Sequence, residues 1–516
     1  MDRQKSILNV STSILSRIVL LPIAICIRRL LIQNIGNDVN GLNSLYANII
    51  GVLTVAELGI GRAIVYSMYK PILDGNTREV AALYGLYRRL YRIVGAVILV
   101  GGLAVIPFLP RLIHDHAALH EDVALTFFLT LISVTATYLY SAKSSLIQAH
   151  KNDYLTTLIG LAAELIRYGL QIAVLLTWKS FTLFLACQII GTLFAWALTE
   201  AVARHKYPDI LKRQETVDPE QRREITRNVK AMVLHKVGTI LVNGIDNLII
   251  SGFIGVAVLG RYSNYSYVLS VMTGTISLFF TPLTSVIGHL CAEGKKEKTE
   301  RAFHRLYHLN YVLGVVFFLG YAAVSDGLVQ ILFGNGLGVS RAIVFVMTIN
   351  AFTQYMRRTA LLFRNASGTF YHDRWKPIAE GLSNLVLSLV FVQVFPENLR
   401  VVGVIAATIL TTMLICFVVE PYVVFKHVFG KAPMRFWLKN YAYIGFFTAC
   451  LAGVVFLIPK TTGGVVGILL NGGISIGVSC AALAVLAAAD QSFRGVIMDA
   501  GRRIRRRVRK DAAKAE

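Results

Sequence analysis

The chain is 516 residues long, 55% hydrophobic and only 16% charged, yet its formal net charge is +23. Apolar runs of about 20 residues, long enough to cross a lipid bilayer, recur along its length, which excludes an ordinary water-soluble protein. The sequence contains no GxSxG, HExxH, Walker-type or GxGxxG pattern, so its motifs give no indication of hydrolysis, phosphoryl transfer or nucleotide binding.

The distribution of basic residues predicts the orientation of the chain. If about 14 spans are counted, the connections on one side hold about 39 of the 52 Lys and Arg residues, and those on the other side hold roughly one each. The basic connections are residues 1–5, 70–92, 150–153, 204–230, 289–305, 356–376, 426–439 and 493–516. Because basic connections stay in the cytosol, both termini are predicted to be cytosolic.

The first apolar segment lacks a cleavage pattern, so we expect no cleavable signal peptide. The six cysteines show no CxxC pairing, so we expect no disulfide framework and no metal site.

The sequence also matches itself at a fixed offset of about 219 positions. Six residues recur without a gap, since Gly36, Val39, Gly41, Ser44, Gly75 and Gly95 fall on Gly255, Val258, Gly260, Ser263, Gly294 and Gly314. This predicts one structural unit that is present twice, with the glycines in turns and close backbone approaches. Two similar membrane halves are typical of transporters that bind their substrate between the halves.

These patterns predict an all-α polytopic membrane protein with about 14 transmembrane helices, two pseudo-symmetric six-helix lobes and two C-terminal helices. The predicted parts are an N-lobe (1–204), a cytosolic linker (205–230), a C-lobe (231–430), spans 13 and 14 (431–492) and a basic cytosolic tail (493–516). The position of this tail next to a membrane favours binding to anionic lipid head groups over binding to nucleic acid.

Span 1, predicted at about 7–33, has a polar face. Arg17 lies about ten residues, or ~15 Å, from its start, near the bilayer midplane. Arg28 returns to within ~20° of the same face, which also carries Ser13. A charge at the midplane is costly, so Arg17 is predicted to face a cavity. Arg28 either joins it or extends to the outer interface.

Span 2, predicted at about 43–69, carries Glu57 and Arg62 around a pair of glycines that weakens the helix locally. Both side chains are candidates for the cavity lining. The alternative is that they neutralise charges on neighbouring helices. In span 5, Glu164 and Arg167 are three residues apart and are predicted to pair with each other or with a neighbour.

Spans 7 and 8, predicted at about 231–253 and 261–288, correspond to spans 1 and 2 by the repeat. Each has a continuous polar face that is unsuited to contact with lipid. The predicted cavity-lining residues are Lys236, Asn243 and Asp246 on span 7 and Ser266, Ser270 and Thr273 on span 8.

Basic residues outnumber acidic ones within the predicted spans. The basic residues are Arg17, Arg28, Arg29, Arg62, Lys143, Arg167 and Lys236. The acids counted against them are Glu57, Glu164, Asp246 and Glu380. Each buried cation costs about 2.5–3.5 kcal/mol on insertion scales, so the excess predicts water, lipid phosphate or an anionic substrate as a partner. We therefore expect a transporter with an anionic cargo.

Two segments resemble a known family: the run NGLNSLYANIIGVLTVAELGIGRAIVYSMYKPI and the later RRLYRIVGAVILVGGLAVIPFLPRLI. They are similar to the amino-terminal part of polysaccharide-biosynthesis flippases, the O-antigen or exopolysaccharide repeat-unit translocases. These belong to the multidrug/oligosaccharidyl-lipid/polysaccharide exporter superfamily. The resemblance implies a transporter without a cofactor or catalytic residues, in a bacterial plasma (inner) membrane, which moves undecaprenyl-diphosphate-linked oligosaccharides to the outer leaflet by alternating access. Polysaccharide polymerases and glycosyltransferases are the further partners that it implies.

The resemblance and the excess of cations together predict the substrate contacts. Arg17, Arg28, Arg62 and Lys236 are expected to bind the diphosphate, because a guanidinium fork matches phosphate oxygens. The family usually has a small residue at the position of Arg62, which departs from that pattern. Asp246 or Glu57 is a candidate for coupling to Na⁺ or H⁺, because both lie within predicted spans.

Other functions stay open at this point. A lipid II flippase and a drug or cation antiporter are alternatives within the superfamily, although an antiporter should concentrate acids where span 1 has arginines. A membrane glycosyltransferase or polymerase is an alternative of another class. It would need a large external loop, and no predicted external connection exceeds about 15 residues.

Overall fold

The computed structural model describes residues 2–54, 60–114, 119–213, 215–219, 223, 244–280, 283–369, 372–459, 464–496 and 498. Within these ranges the regular structure is entirely helical, which confirms the all-α prediction. The chain divides into two units. Unit 1 comprises Met1–Ser263 and Leu332–Gly334, and unit 2 comprises Asn264–Ile331 and Asn335–Glu516. The lobe and linker boundaries drawn from the sequence stay a prediction.

Unit 1 contains nine helices among its described residues. They are α1 (Asp2–Asn34), α2 (Asn37–Leu53), α3 (Ile60–Leu73), α4 (Thr77–Val105), α5 (Val123–Ala149), α6 (Asp153–Thr177), α7 (Phe181–Lys206), α8 (Pro208–Lys212) and α9 (residues 244–253). A 3₁₀ segment, Ile106–Leu112, extends α4. α1 packs on α6, and α5 packs against both α4 and α7.

Most of the remaining helices lie in unit 2. They are α10 (Val256–Phe280, of which the part up to Ser263 belongs to unit 1), α11 (Leu283–Ala292), α12 (Lys296–Phe333), α13 (Arg341–Met356), α14 (Arg358–Ala366), α15 (Lys376–Val394), α16 (Arg400–Thr411), α17 (Phe417–Val424), α18 (Met434–Leu457) and α19 (Val465–Ala489). Two π-helical turns, Thr412–Cys416 and Phe425–Phe429, join α16 to α17 and extend α17.

Several helices begin at polar residues whose side chains cap the first turn. Asn76 accepts a hydrogen bond from the backbone N of Glu79 at 3.1 Å, and Asp122 accepts one from the backbone N of Leu125 at 3.0 Å. Such caps satisfy backbone N–H groups that lack a partner within the helix. The starts of α4 and α5 are therefore encoded locally.

The predicted repeat appears in the backbone conformation. Gly36 has a φ of 136° and its equivalent Gly255 has a φ of 129°, each immediately before a helix. Gly75 and Gly294 form a second equivalent pair with φ values of 68° and 71°. Side chains rarely adopt these positive φ values, so glycine is required at the same turns of both copies.

Nine helical segments of the described chain are long and apolar enough to cross a membrane. They include α4 and α12, which begin at Thr77 and Lys296 and so extend into the stretches that the sequence assigned to cytosolic connections (70–92 and 289–305). The fold is therefore that of an integral multi-pass membrane protein.

Candidate functional site

The predicted polar face of α1 carries a cation without a partner among the described residues. Arg17 lies near the middle of α1 with an exposed side chain, and no described residue forms a hydrogen bond or ion pair with it. Ser13, one turn earlier, is also exposed, and its hydroxyl donates to the backbone O of Asn9 at 2.8 Å. The neighbouring exposed side chains are apolar, such as Ile18 at 64% exposure. Within the described part of the chain, Arg17 is thus an unpaired charge beside several exposed apolar side chains.

Arg28, eleven residues further along α1, is held by several groups of unit 1. Its Nη2 donates to Ser263 Oγ at 2.7 Å, and its guanidinium carbon lies 5.4 Å from the ring centroid of Phe333. The buried side chain of Asn40 donates to the same Ser263 Oγ at 3.3 Å. These contacts fix the guanidinium beside α10 and the end of α12.

α2 and α10 approach each other closely beside Arg28, at two glycines that are equivalent in the repeat. A Cβ atom on Gly41 would lie 2.0 Å from Val256 O, and a Cβ atom on Gly260 would lie 2.3 Å from Asn37 O. Val256 follows Asn37 by the repeat offset of about 219 positions, so each contact is the counterpart of the other. No side chain larger than hydrogen fits at either glycine without a backbone shift.

The predicted serine and threonine stripe of span 8 lies on the unit 2 part of α10. Ser266 and Thr273 are half-buried and Ser270 is exposed. Ser270 Oγ donates to Ser266 O at 2.8 Å, and Thr273 Oγ1 donates to Ser270 O at 3.3 Å. Because these protons are used within α10, the hydroxyl oxygens can still accept hydrogen bonds from a ligand. Arg358 Nη2 donates to Thr273 O at 3.3 Å.

Other predicted site residues lie beyond what the structure describes. Glu57, Lys236 and Asn243 fall outside the described residues, and Arg62 lies on α3 with its side chain outside the description. Asp246 is half-buried on α9. The diphosphate, cavity-lining and coupling roles of all these residues stay predictions.

Ion pairs in unit 1 neutralise two of the predicted membrane cations. Arg167 pairs with Glu164, which confirms the predicted pair. Lys143 pairs with Glu200, an acid that was not counted within the spans. The excess of membrane cations is therefore smaller than the sequence indicated. Lys143 and Glu200 are 57 positions apart, so no local sequence pattern indicates this pair.

Four charged residues of unit 2 form a group that the sequence did not predict, and they are called the charge cluster below. Arg357 contacts Glu420 (Nη2 to Oε1, 2.6 Å) and Glu380 (Nη1 to Oε1, 3.1 Å). Lys376 Nζ lies 2.6 Å from an oxygen of each acid. The sequence assigned Arg357 and Lys376 to a cytosolic connection, but their side chains are only 10% and 5% exposed. Glu420 could have indicated this cluster, because an acid within a long apolar segment is costly unless it has a partner.

Part of the chain matches the model of a known family. Residues 93–338 match the model of a family described as polysaccharide biosynthesis protein. No curated protein sequence matches the chain.

Two solved structures are similar over most of their length. The inward closed conformation of the lipid II flippase MurJ superposes with a TM-score of 0.66 and 11% identity, covering 94% of this chain and 99% of that chain. An inward-facing multidrug resistance MATE family transporter of the MOP superfamily gives a TM-score of 0.58 and 12% identity, covering 86% and 99%. Residues 93–338 thus match the polysaccharide biosynthesis family model, and the fold is the one shared by MurJ and MATE transporters, in agreement with the resemblance found in the sequence.

Proposed function

We propose that this protein is a flippase that moves undecaprenyl-diphosphate-linked oligosaccharide repeat units from the cytosolic to the outer leaflet of a bacterial plasma membrane. Two findings support the proposal: the match of residues 93–338 to polysaccharide biosynthesis proteins and the transporter fold. The observation that carries the substrate chemistry is the exposed Arg17, which has no partner among the described residues.

Arg17 is suited to a diphosphate because of its depth and its chemistry. A cation near the bilayer midplane is costly unless water or an anion compensates it. The planar guanidinium can donate two parallel hydrogen bonds to phosphate oxygens, which a lysine cannot do. Arg28 is about 16 Å further along the same helix and within ~20° of the same face. The diphosphate binds Arg17 while the prenyl chain stays in lipid, and the lobes then alternate in access, as the family resemblance implies.

The test is transport by purified protein in liposomes that contain a fluorescent undecaprenyl-diphosphate oligosaccharide. Arg17→Gln is expected to slow flipping at least about tenfold, because one charge-assisted contact to phosphate is worth about 1.5–3 kcal/mol. Arg17→Lys should restore only part of the rate. Arg204→Gln is the matched control, since Arg204 is 74% exposed and pairs with Glu200 at the end of α7. Wild-type flipping by Arg17→Gln would contradict the proposal.

Lipid II is a second candidate substrate, favoured by the fold shared with the lipid II flippase MurJ. Both substrates present a diphosphate to Arg17, so the arginine cannot distinguish them. Parallel liposomes that contain lipid II or a polymer repeat unit on the same prenyl diphosphate separate the two. Faster transport of lipid II than of the repeat unit would show that lipid II is the better substrate.

Coupling to Na⁺ or H⁺ through Asp246 or Glu57 remains part of the proposal. Asp246 is half-buried on α9, where an acid can bind a cation or a proton. Asp246→Asn should remove the dependence of flipping on an imposed ion gradient. Full gradient dependence in this variant would exclude Asp246 as the coupling residue.

A further inference from the structure

A cavity of about 410 Å³ lies in unit 1 between α4 and the segment that follows α7. Arg88 and Arg89 of α4 line one side, and Lys212 and Arg213 line the other. All four side chains are exposed, so their charged groups can reach a ligand in the cavity. From the sequence, these residues are predicted only to belong to basic cytosolic connections.

Among the described residues that line this cavity, four are basic and one is acidic. Glu215 is the one acid among the lining residues, and its Oε1 lies 3.0 Å from Nε of Arg78. In the described part of the chain, none of the four lining cations forms an ion pair. Four like charges around one opening repel each other, and an anion that binds there relieves this repulsion.

An apolar strip begins at the edge of the same cavity. Ile93 lines the cavity and is 59% exposed, and Val97 and Val100 are 57% and 66% exposed. Residues 93, 97 and 100 follow helical spacing, and Arg89 is one turn before Ile93 on the same face. Arg89 and Val100 are about 16 Å apart along α4, which is close to the thickness of one leaflet.

We propose that this cavity binds the phosphate-bearing head group of an anionic phospholipid, with an acyl chain along the strip Ile93, Val97 and Val100. Arginine forks match phosphate oxygens, and basic groups at the cytosolic surface attract anionic lipid. The strip favours a lipid over a free phosphate ion, because an ion has nothing to place against exposed apolar side chains. The site is separate from Arg17 and does not depend on the flippase proposal.

The test is native mass spectrometry of the delipidated full-length protein in detergent. The protein is titrated with dioleoyl phosphatidylglycerol, with dioleoyl phosphatidylcholine and with inorganic pyrophosphate. Arg89→Gln combined with Arg213→Gln removes two charges from the cavity. Lys295→Gln combined with Arg301→Gln removes two exposed charges from unit 2 and is the matched control.

The cavity variant should bind phosphatidylglycerol about 30-fold more weakly, since each basic group near the surface contributes about fivefold. The control should lose less than about twofold, and pyrophosphate should not displace the lipid. Thr216→Glu, which adds an acid at an exposed lining position, is an independent variant with the same expected direction. Equal losses in the cavity and control variants, equal binding of both phospholipids, or displacement by pyrophosphate would overturn the proposal.

Discussion

The charge cluster of unit 2 gives the sharpest prediction on stability. Glu420 is 1% exposed, and each of its two ion pairs, with Arg357 and with Lys376, has a contact of 2.6 Å. The cluster holds two cations and two acids, so it is neutral as a whole. Glu420→Gln keeps the shape of the side chain but leaves Arg357 and Lys376 to share Glu380. One positive charge then stays buried without compensation.

We expect Glu420→Gln to lower the free energy of unfolding by about 3–5 kcal/mol, which is the usual cost of removing one partner from a buried ion pair. Adding Lys376→Met to Glu420→Gln restores neutrality, because Arg357 and Glu380 still pair. The double variant should therefore be more stable than Glu420→Gln alone, although each substitution removes contacts. This reversal separates charge compensation from simple loss of packing.

The measurement is equilibrium unfolding of the purified protein in mixed detergent micelles with increasing sodium dodecyl sulfate. Glu293→Gln is the control, since the side chains of Glu293 and its partner Lys298 are 43% and 53% exposed and exposed pairs contribute little. The explanation by buried charge is wrong if Glu420→Gln is no less stable than this control. It is also wrong if the double variant loses as much free energy of unfolding as Glu420→Gln and Lys376→Met lose together.

Two further predictions concern unit 1. Gly41→Ala should lower the free energy of unfolding by about 1–3 kcal/mol, because its Cβ would lie 2.0 Å from Val256 O. Gly51→Ala on the same helix meets nothing within 4 Å and should be neutral or stabilising by up to about 1 kcal/mol. The same unfolding assay compares the two variants, and equal effects would contradict the close approach of α2 and α10. Burial lowers the pKa of His150 below its ordinary value, and the hydrogen bond to Leu146 O offsets this effect only in part. The imidazole therefore binds a proton more readily in the unfolded chain than in the folded one, so the stability should fall as the pH drops below about 6.5. His150→Gln should weaken that dependence in thermal unfolding between pH 7.5 and 5.5, and an unchanged pH profile would exclude His150 as its source.

The repeat could be predicted from the sequence because the turns that define it are encoded locally. A glycine with positive φ is required wherever the backbone makes the same turn, so Gly36 and Gly255 appear in the sequence and in the structure alike. Pairing over a short distance was also predictable, as for Glu164 and Arg167, which lie three residues apart.

Partners that are distant in sequence could not be predicted in the same way. Arg357 and Glu420 are 63 residues apart, and which cation meets which acid depends on how each helix is rotated against its neighbours. Positive-inside counting assigns a basic residue to the cytosol from its place between spans. It does not indicate whether that residue is buried, and Arg357, which lies where α13 gives way to α14, is almost completely buried among acids.

Ion pairs within unit 1 reduce the number of membrane cations that an anionic cargo would have to compensate. Lys143 and Arg167 are neutralised within unit 1, so they no longer call for a substrate. The other cations of the predicted membrane set with described side chains are Arg17, Arg28 and Arg29, all on α1, and of these Arg28 and Arg29 have partners. Arg28 is held by Ser263, whereas Arg17 is exposed and has no partner in the described part of the chain. The diphosphate proposal therefore depends on one helix, and within the described residues chiefly on Arg17.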